Sequence, residues 1–468
     1  MKKIVLSALA ATIVTSAVNA DTITLFTDPK TGQVFTTAGE GRVEMGDFVS
    51  AKEVDMANRE QASIIAEYTD SDKKSVTVID SKSPHFILGQ ETGPNLKIKA
   101  KDNKDMYLKL GVRLQSTFET RNKDYADNSK DVKTNDAYMR RTRLEVEAGF
   151  DKHTSFVMDL RDDKANAEDK GEQTFNVGDA YLNIKKPFDT SLVNFKLYRG
   201  KIDVSRSETA KSAYNVHYDR AHVADEAAQY ITHNRRGTNA QMYGDWEKKV
   251  HYQVAMGDGV YSGATSDAKG KTLSSFGGSV KSQDFFYGGK LKLSPFDGWE
   301  ETEITETYMG QGKHFTVGAA YWKTGNIVTS GLTNNVNVDH ELVNLEASAH
   351  YNGASVTAEY FNFDGVVKDF TSATVKQVGK STGWYAQAEY VFTDFGFVAP
   401  FYRYESWNKF KDAAAGENFD LTSKIAGVNW YLRGNTTKVG FSVQNDTYGK
   451  TLGDYTDTRF KLTSQFHF

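Results

Sequence analysis

The feature that most limits the fold of this chain is a period-two alternation of apolar and polar residues, which runs from about residue 105 to its end. Leu108, Leu110 and Val112 share one face of the first such segment, and Lys109 and Arg113 share the other. Successive side chains of a β-strand point to opposite faces, so each segment predicts a strand with one apolar and one polar face. The pattern predicts sixteen strands, with fourteen or eighteen as alternatives, at 105–119, 137–149, 154–161, 174–185, 193–202, 236–246, 249–260, 284–293, 314–324, 341–351, 354–363, 382–392, 397–407, 421–432, 437–446 and 457–468.

Short and long connections alternate between these strands. Asn352–Gly353 suits a two-residue hairpin turn, because both residues tolerate a positive φ. One connection, 294–313, is long where a short one is expected. The alternation predicts an all-β fold, a transmembrane antiparallel β-barrel with short periplasmic turns and long outer loops. The other short turns are Asp151–His153, Glu247–Lys248, Thr393–Gly396 and Arg433–Thr436, and the long loops are about 120–136, 162–172, 203–235, 261–283, 325–340, 364–381, 408–420 and 447–456.

The composition agrees with a barrel. There are 24 Tyr and 28 Phe but only 6 Pro, which suits long hydrogen-bonded strands. A mean hydropathy of −0.55 fits a barrel because only alternate strand residues face lipid. The net charge of −4 argues against nucleic-acid binding, and the absence of cysteine excludes thiolate chemistry. Interfacial aromatic girdles are predicted to include Tyr138, Phe150, Trp246, Tyr351, Tyr390, Phe392, Trp430 and Tyr431.

The two ends of the chain predict export to the outer membrane. Lys2 and Lys3 precede an apolar run, and Val18 and Ala20 provide small residues for cleavage, so residues 1–20 are predicted to be a signal peptide. A helical membrane anchor is the alternative, but the run is shorter than the ~20 residues needed. The last strand ends in Phe468, a terminal aromatic typical of barrels inserted into the bacterial outer membrane.

The barrel domain is predicted at residues 104–468, and residues 21–103 differ from it in being polar and poor in aromatics. They are predicted to form an N-terminal periplasmic extension, with a helical stretch near Met56–Tyr68. A disordered linker and a small folded or trimer-associated element are equally compatible with this composition.

Charged residues on the inward faces of the strands are the candidate functional residues. The third long loop, 203–235, is the longest, and it is predicted to fold inward and narrow the pore, although a solvated outer loop is the alternative. Fixed charges on a pore wall bias which ions enter, and arginine can bond two oxygens of a planar anion. Pairing of these cations with inward acids, which would only stiffen the wall, is the alternative role. The pore-lining candidates are Lys109, Arg113, Arg141, Arg143, Arg161, Arg206, Arg220 and Arg403, and the inward acids include Asp179, Glu346, Glu359, Glu389 and Glu405.

No catalytic motif is found in the sequence. It has neither a Gly-x-Ser-x-Gly elbow nor a P-loop, and His217 and His222 are poorly spaced for a metal site. We therefore expect neither an enzyme nor a cofactor or metal.

Four segments of the predicted barrel have a distinctive sequence: Tyr138–Gly149 (YMRRTRLEVEAG), Val254–Gly259 (VAMGDG), Pro400–Glu405 (PFYRYE) and Gly427–Leu432 (GVNWYL). With these segments, the barrel region, 105–468, resembles the phosphate-selective porin O and P family. The resemblance implies a sixteen-stranded barrel, usually trimeric, with a basic pore that passes anions. Arg141, Arg143 and Arg161 are the positional candidates for the family's arginine ladder.

The resulting functional hypothesis is a water-filled outer-membrane channel for passive diffusion of small hydrophilic solutes and ions, with a preference for anions such as phosphate. The alternative is a general or cation-leaning porin that also acts as a structural tether. The expected partners are membrane lipid, lipopolysaccharide, small ions and two further copies of the chain in a homotrimer.

Overall fold

The structure is a computed structural model, and it describes residues 23–27, 34–35, 43–48, 96–100, 103, 105–165, 175–232, 235–259, 279–301, 304–310, 312–330, 337–367 and 378–467. The predicted signal peptide, the helical stretch near Met56–Tyr68 and the terminal Phe468 lie outside these residues. The chain forms two compact units, Met1–Val76 and Thr77–Phe468.

The first unit contains a small antiparallel sheet. Its strands are β1 (Ile23–Thr27), β2 (Val34–Phe35) and β3 (Val43–Phe48), in the order β2-β1-β3. A bulge between Leu25 and Phe26 shifts the pairing of β1 with β3. The N-terminal extension predicted from the sequence therefore includes regular structure in its first part.

The second unit is a closed antiparallel barrel of sixteen long strands, as predicted. Two short strands, β4 (Leu96–Lys99) and β12 (Ser279–Ser282), extend its sheet at β5 and β14. The long strands are β5 (Tyr107–Tyr125), β6 (Val132–Gly149), β7 (Thr154–Ala165), β8 (Asn176–Ile184), β9 (Asn194–Gly200), β10 (Gly237–Trp246), β11 (Val250–Gly257), β13 (Phe286–Leu293), β14 (Lys313–Ser330), β15 (Asn337–Tyr351), β16 (Ala354–Val367), β17 (Val378–Tyr390), β18 (Val398–Asn408), β19 (Asp420–Asn435), β20 (Thr437–Tyr448) and β21 (Tyr455–His467).

The barrel closes where β21 pairs with β5, from Tyr455 opposite Tyr125 to His467 opposite Arg113. Closure leaves no unpaired strand edge, which hydrocarbon does not tolerate because each unpaired backbone group costs several kcal/mol. The predicted Asn352–Gly353 turn is present, with φ of 46° and 83°. No helix in the described part of the chain is long and apolar enough to cross a membrane.

Aromatic side chains surround the outside of the barrel near its short turns. Phe150, Trp246 and Trp430 are each at least half exposed there, as an interfacial girdle requires. The prediction of the girdle is wrong for two of its members. Tyr431 is fully buried, and its hydroxyl donates to Glu389 at 2.5 Å. Tyr138 turns inward and donates to Glu119 at 3.2 Å, because a bulge in its strand reverses the alternation.

The barrel interior is packed on one side. Large apolar side chains of β14 to β18, among them Trp322, Phe361 and Trp407, point inward and are buried. They contact the connection between β9 and β10, residues 201–236, which contains helices α1 (Arg206–Thr209) and α2 (His222–Ile231). In the described connections, single-turn 3-10 segments also lie at Asn128–Lys130, Thr393–Phe395 and Lys450–Leu452.

Candidate functional site: the channel constriction

The connection 201–236, called the constriction loop below, lies inside the barrel. Val204, Val223, Tyr230 and Ile231 are fully buried in one cluster with the inward side chains of β14 to β18. Burying a large apolar side chain stabilises by about 1.5–3 kcal/mol, so this contact holds the loop firmly against one wall. A cavity inside the barrel lies on the opposite side of the loop, along β5 to β9.

Carboxylates of the barrel wall hold the backbone at the start of each loop helix. Glu359 accepts from the amides of Arg206 and Ser207 at 3.0 and 2.8 Å. Glu405 accepts from the amides of His222 and Val223 at 2.9 and 2.6 Å. The first amides of a helix lack partners within the helix, and its N-terminus favours negative charge. These two acids, predicted to face inward, are therefore occupied by the loop.

Cations of the wall hold the middle of the loop through Asp219. Arg140 donates to its carboxylate at 2.5 and 3.0 Å, and Lys461 donates at 2.6 Å. Arg403 donates to the carbonyl oxygens of Asp219 and Arg220 at 2.8 and 3.1 Å. Burial alone would raise the pKa of Asp219, but Arg140 and Lys461 outweigh burial and hold it well below its usual range.

Arg140 was not among the predicted residues, because strict alternation assigns it to the lipid face. The pairing of β5 with β6 shifts between Gln115 and Ser116, so Arg140 has no partner on β5. Such a bulge reverses the phase of all residues beyond it. A bulge has no reliable signature in a single sequence. A possible signal was the pair of consecutive arginines Arg140 and Arg141, because strict alternation would point one of them toward lipid.

A cavity of about 190 Å³ separates the constriction loop from the wall of β5 to β9. Charged side chains dominate its lining, and cations outnumber acids. The seven cationic residues are Arg113, Arg141, Arg143, Lys196, Lys201, Lys211 and Arg220, and the five acidic residues are Glu145, Asp159, Asp179, Asp203 and Glu208.

Most of these cations are ion-paired, but two are not. Arg113 pairs with Glu145, and Arg143 lies 2.6 Å from Asp163. Among the residues that the structure describes, neither Arg141 nor Lys196 has a carboxylate within 4.0 Å. Arg141 donates to the amide oxygen of Gln115 at 3.0 Å, and its Nε is buried without a partner.

Lys196 is a second residue that the sequence analysis did not single out. Its ammonium lies 4.4 Å from the ring centre of Tyr181 and 4.3 Å from that of Tyr198. Aromatic faces hold a cation without cancelling its charge. Alternation along β9 would have placed Lys196 on the inner face, so the signal was available.

The eight predicted pore-lining residues divide into three groups. Arg113, Arg141, Arg143 and Arg220 border the cavity. Lys109 and Arg161 lie on the inner wall outside the cavity lining, where Lys109 is 3.8 Å from Glu147 and Arg161 is 4.0 Å from Asp163. Arg206 and Arg403 are buried behind the cavity, and both bond the loop or its support.

Glu208 carries much of the negative charge on the loop side of the cavity. It is fully buried, and it pairs with Arg235, with Lys201 at 2.9 Å and with Arg220 at 3.4 Å. Burial alone would raise the pKa of Glu208, but these three cations outweigh burial and hold it below its usual range. In this cluster the cations exceed the acid, so the loop presents net positive charge to the cavity. Within the described residues, no three His, Asp or Glu side chains are grouped to hold a metal ion.

His222 contributes a titratable contact to the attachment of the loop. Its Nε2 lies 3.1 Å from the Asp446 carboxylate. Burial acts to lower the pKa of His222, but Asp446 outweighs burial and the pKa is raised above its ordinary value. A histidine with a raised pKa contributes its full attraction below about pH 6.5, and the attraction is lost as the pH rises through the raised pKa.

We therefore expect brief closures of single channels to become more frequent as the pH rises from below about 6.5 into the alkaline range. His222→Asn is expected to remove this pH dependence, because asparagine does not titrate. His153→Asn, in a turn at the barrel end, is the matched control and should keep the wild-type profile. An unchanged profile in His222→Asn would show that the pair does not restrain the loop.

A closed barrel of sixteen strands, with its third outer loop folded inside against a charged cavity, defines the class of outer-membrane porins. The chain belongs to the phosphate-selective porin O and P family, whose family model matches residues 108–451. It is thus an outer-membrane porin, and family and fold both point to a channel rather than an enzyme. A comparison with curated proteins finds no match.

Three solved structures with similar folds are distant from this chain in sequence. The outer-membrane channel DcaP of Acinetobacter baumannii is 11% identical with a TM-score of 0.52, and the match covers 79% of this chain and 99% of that chain. OprB of Pseudomonas putida is 11% identical with a TM-score of 0.52, covering 77% and 94%. The anion-selective porin from Comamonas acidovorans is 10% identical with a TM-score of 0.50, covering 77% and 99%. At these identities the likeness concerns the fold alone.

Proposed function

We propose that this porin is a passive diffusion channel that favours small anions, phosphate among them. The observation that carries the proposal is the lining of the 190 Å³ cavity, which has seven cations and five acids, and in which neither Arg141 nor Lys196 has a carboxylate of the described residues within 4.0 Å. Fixed charge at a narrow point creates a local potential of several kT, which concentrates ions of the opposite sign. We propose Arg113, Arg141, Arg143, Lys196 and Arg220 as the pore-lining residues.

The inward acids of the later strands do not oppose this preference, because each is engaged elsewhere. Glu359 and Glu405 hold the helices of the constriction loop. Glu346 lies 2.6 Å from Lys290, and Glu389 accepts from the Tyr431 hydroxyl. None of these four acids belongs to the lining of the cavity, and the charge of Glu346 is offset by Lys290, so they act on ions there from further away than the lining cations do.

The same proposal covers the setting of the channel. Residues 1–20 would be removed as a signal peptide, since Lys2 and Lys3 precede an apolar run and a small-residue cleavage site. The extension predicted at residues 21–103 would lie in the periplasm, except that Leu96–Lys99 near its end already pairs with β5 of the barrel. We further propose a homotrimer, the usual state implied by the family, surrounded by lipopolysaccharide, and no enzymatic activity.

The test is a planar-bilayer measurement of reversal potential across a KCl gradient, repeated with phosphate. We expect a potential that favours chloride, and a chloride current that falls when phosphate is added, because both anions compete for the same cations. A potential that favours potassium, or one near zero, would contradict anion preference and leave a general porin. Folded protein without channel activity would contradict the channel itself and favour the tether.

A further inference from the structure

The connection between β13 and β14 differs from every other connection at the short-turn end of the barrel. It spans residues 294–312, and the sequence analysis had already found it too long for that end. Glu301, Thr305, Glu306, Thr307 and Met309 are at most 6% exposed. Pro295–Gly298 are exposed, but a stretch outside the barrel would be solvated throughout, so Glu301 and Thr305–Met309 lie within the interior.

The segment contacts the constriction loop through Arg206, which begins helix α1. The Arg206 guanidinium donates to both carboxylate oxygens of Glu301, one of them at 2.9 Å, and to the carbonyl oxygen of Thr305 at 2.7 Å. Lys292 also donates to Glu301 at 2.9 Å. Burial would raise the pKa of Glu301, but these two cations hold it well below its usual range. The contact is therefore charged and bidentate through the two terminal nitrogens of Arg206, whereas its Nε is buried without a partner.

A second contact lies further along the same loop. The Glu306 carboxylate accepts from the amide of Val216 at 2.9 Å and from the side chain of Gln387 at 3.1 Å. The amide of Glu306 donates to the carbonyl oxygen of Tyr214 at 3.2 Å. Glu306 therefore ties the loop to wall strand β17 through one carboxylate.

The segment is itself anchored at its two ends. Met309 packs in a buried cluster with Phe397 and Tyr431 of the wall region. At the neck of the segment, where its two ends lie side by side, the amide of Phe315 donates to the carbonyl oxygen of Trp299 at 3.0 Å. Because the segment is anchored at both ends and bonds the constriction loop from the short-turn end of the barrel, it can resist displacement of the loop. A segment free at both ends could not.

We propose that this periplasmic connection is a positioning element of the channel, in which Glu301 and Glu306 hold the constriction loop at a fixed distance from the wall of β5 to β9. The loop is thus fixed from three directions: by the apolar wall of β14 to β18, by Arg140 and Lys461 at Asp219, and by this segment. The inference concerns the width and steadiness of the channel, and it stands whether or not anions are favoured.

The neck supplies a precise way to remove the element. The hydrogen bond from the Phe315 amide to the Trp299 carbonyl oxygen has the pattern that closes a two-residue turn. Residues 300–314 can therefore be replaced by Asn-Gly, the turn already used at Asn352–Gly353. In planar bilayers we expect the single-channel conductance of this variant to rise about twofold, with frequent flicker, because the interior is emptied and the loop loses its support.

Point variants keep the test decisive if the excised protein does not fold. Glu301→Gln and Glu306→Gln keep side-chain volume but weaken the bonds to the loop, so we expect open-channel noise to increase several-fold with little change in conductance. Glu300→Gln, whose carboxylate accepts from the Gly298 amide, is the matched control and should behave as wild type.

The open-channel noise of the variants is to be compared at a temperature at which heat-modifiable gel migration shows that every variant barrel is still folded. Loss of the fold is then not mistaken for loss of loop positioning. Wild-type noise in both Glu301→Gln and Glu306→Gln would overturn the proposal, as would wild-type conductance and noise in a folded excision variant. Reversal potentials from the same recordings test anion preference separately, so failure of one proposal is distinguishable from failure of the other.

Discussion

Reversing the charge of both Arg141 and Lys196 to glutamate is expected to lower the chloride-to-potassium permeability ratio about tenfold. A unit charge about 6 Å from the ion path contributes roughly 3 kcal/mol at an effective dielectric constant of about 20. Salt screens part of this energy. A tenfold change requires only about 1.4 kcal/mol, so two reversed charges suffice even after screening.

The measurement is the reversal potential in a KCl gradient, with purified protein of each variant. Arg433→Glu combined with Lys450→Glu is the matched control, because it makes the same change in net charge at exposed positions outside the cavity. If the control moves the potential as far as the test variant does, net charge rather than the cavity sets the preference. If neither moves it, the conducting path does not pass Arg141 and Lys196.

Much of the barrel could be predicted from the sequence, because alternation and turns are local properties. All sixteen predicted strands have counterparts in the structure, and the family was identified from short segments of them. The turn at Asn352–Gly353 shows why: the two residues fix the turn, and the turn fixes the register of β15 with β16.

The contents of the barrel could not be predicted in the same way. Alternation tells which face a residue occupies but not what covers that face. The stretch Tyr360–Phe363 carries apolar side chains on both faces, a pattern typical of a strand buried on both sides. That pattern was the available signal that the inner wall is covered by α2.

The candidate site depends on contacts between residues far apart in sequence, and no local pattern specifies them. Arg206 meets Glu301, and Arg140 meets Asp219, only after the loop has folded into the closed barrel. Arg206 and Arg403 were therefore predicted to line the pore, whereas in the structure their charged groups make the hydrogen bonds that hold the loop. The sequence also could not distinguish the roles of Arg141 and Arg143. In the structure Arg143 has an acidic partner, Asp163, whereas Arg141 has none among the described residues.

Trp322→Ala is expected to destabilise the docked constriction loop by about 3–5 kcal/mol while leaving the barrel closed. Trp322 is the largest fully buried side chain, and it contacts the cluster formed by α2 and the inner wall of β14 to β18. Removing it leaves a cavity at the centre of that contact. The backbone pairing of β14 does not depend on the side chain, so the sixteen strands should remain paired.

The effect is to be measured as protease cleavage within residues 201–236 of the folded protein, together with heat-modifiable migration of the barrel. Trp384→Ala is the matched control, since Trp384 lies on β17 of the same wall but is 43% exposed on the outer face. We expect rapid cleavage of the loop in Trp322→Ala and none in the control. Equal resistance of the two variants would show that the polar contacts at Asp219, Glu301 and Glu306 hold the loop without the apolar cluster. Cleavage in Trp322→Ala with unchanged migration would instead establish that loop docking and barrel closure are separate steps in the stability of this fold.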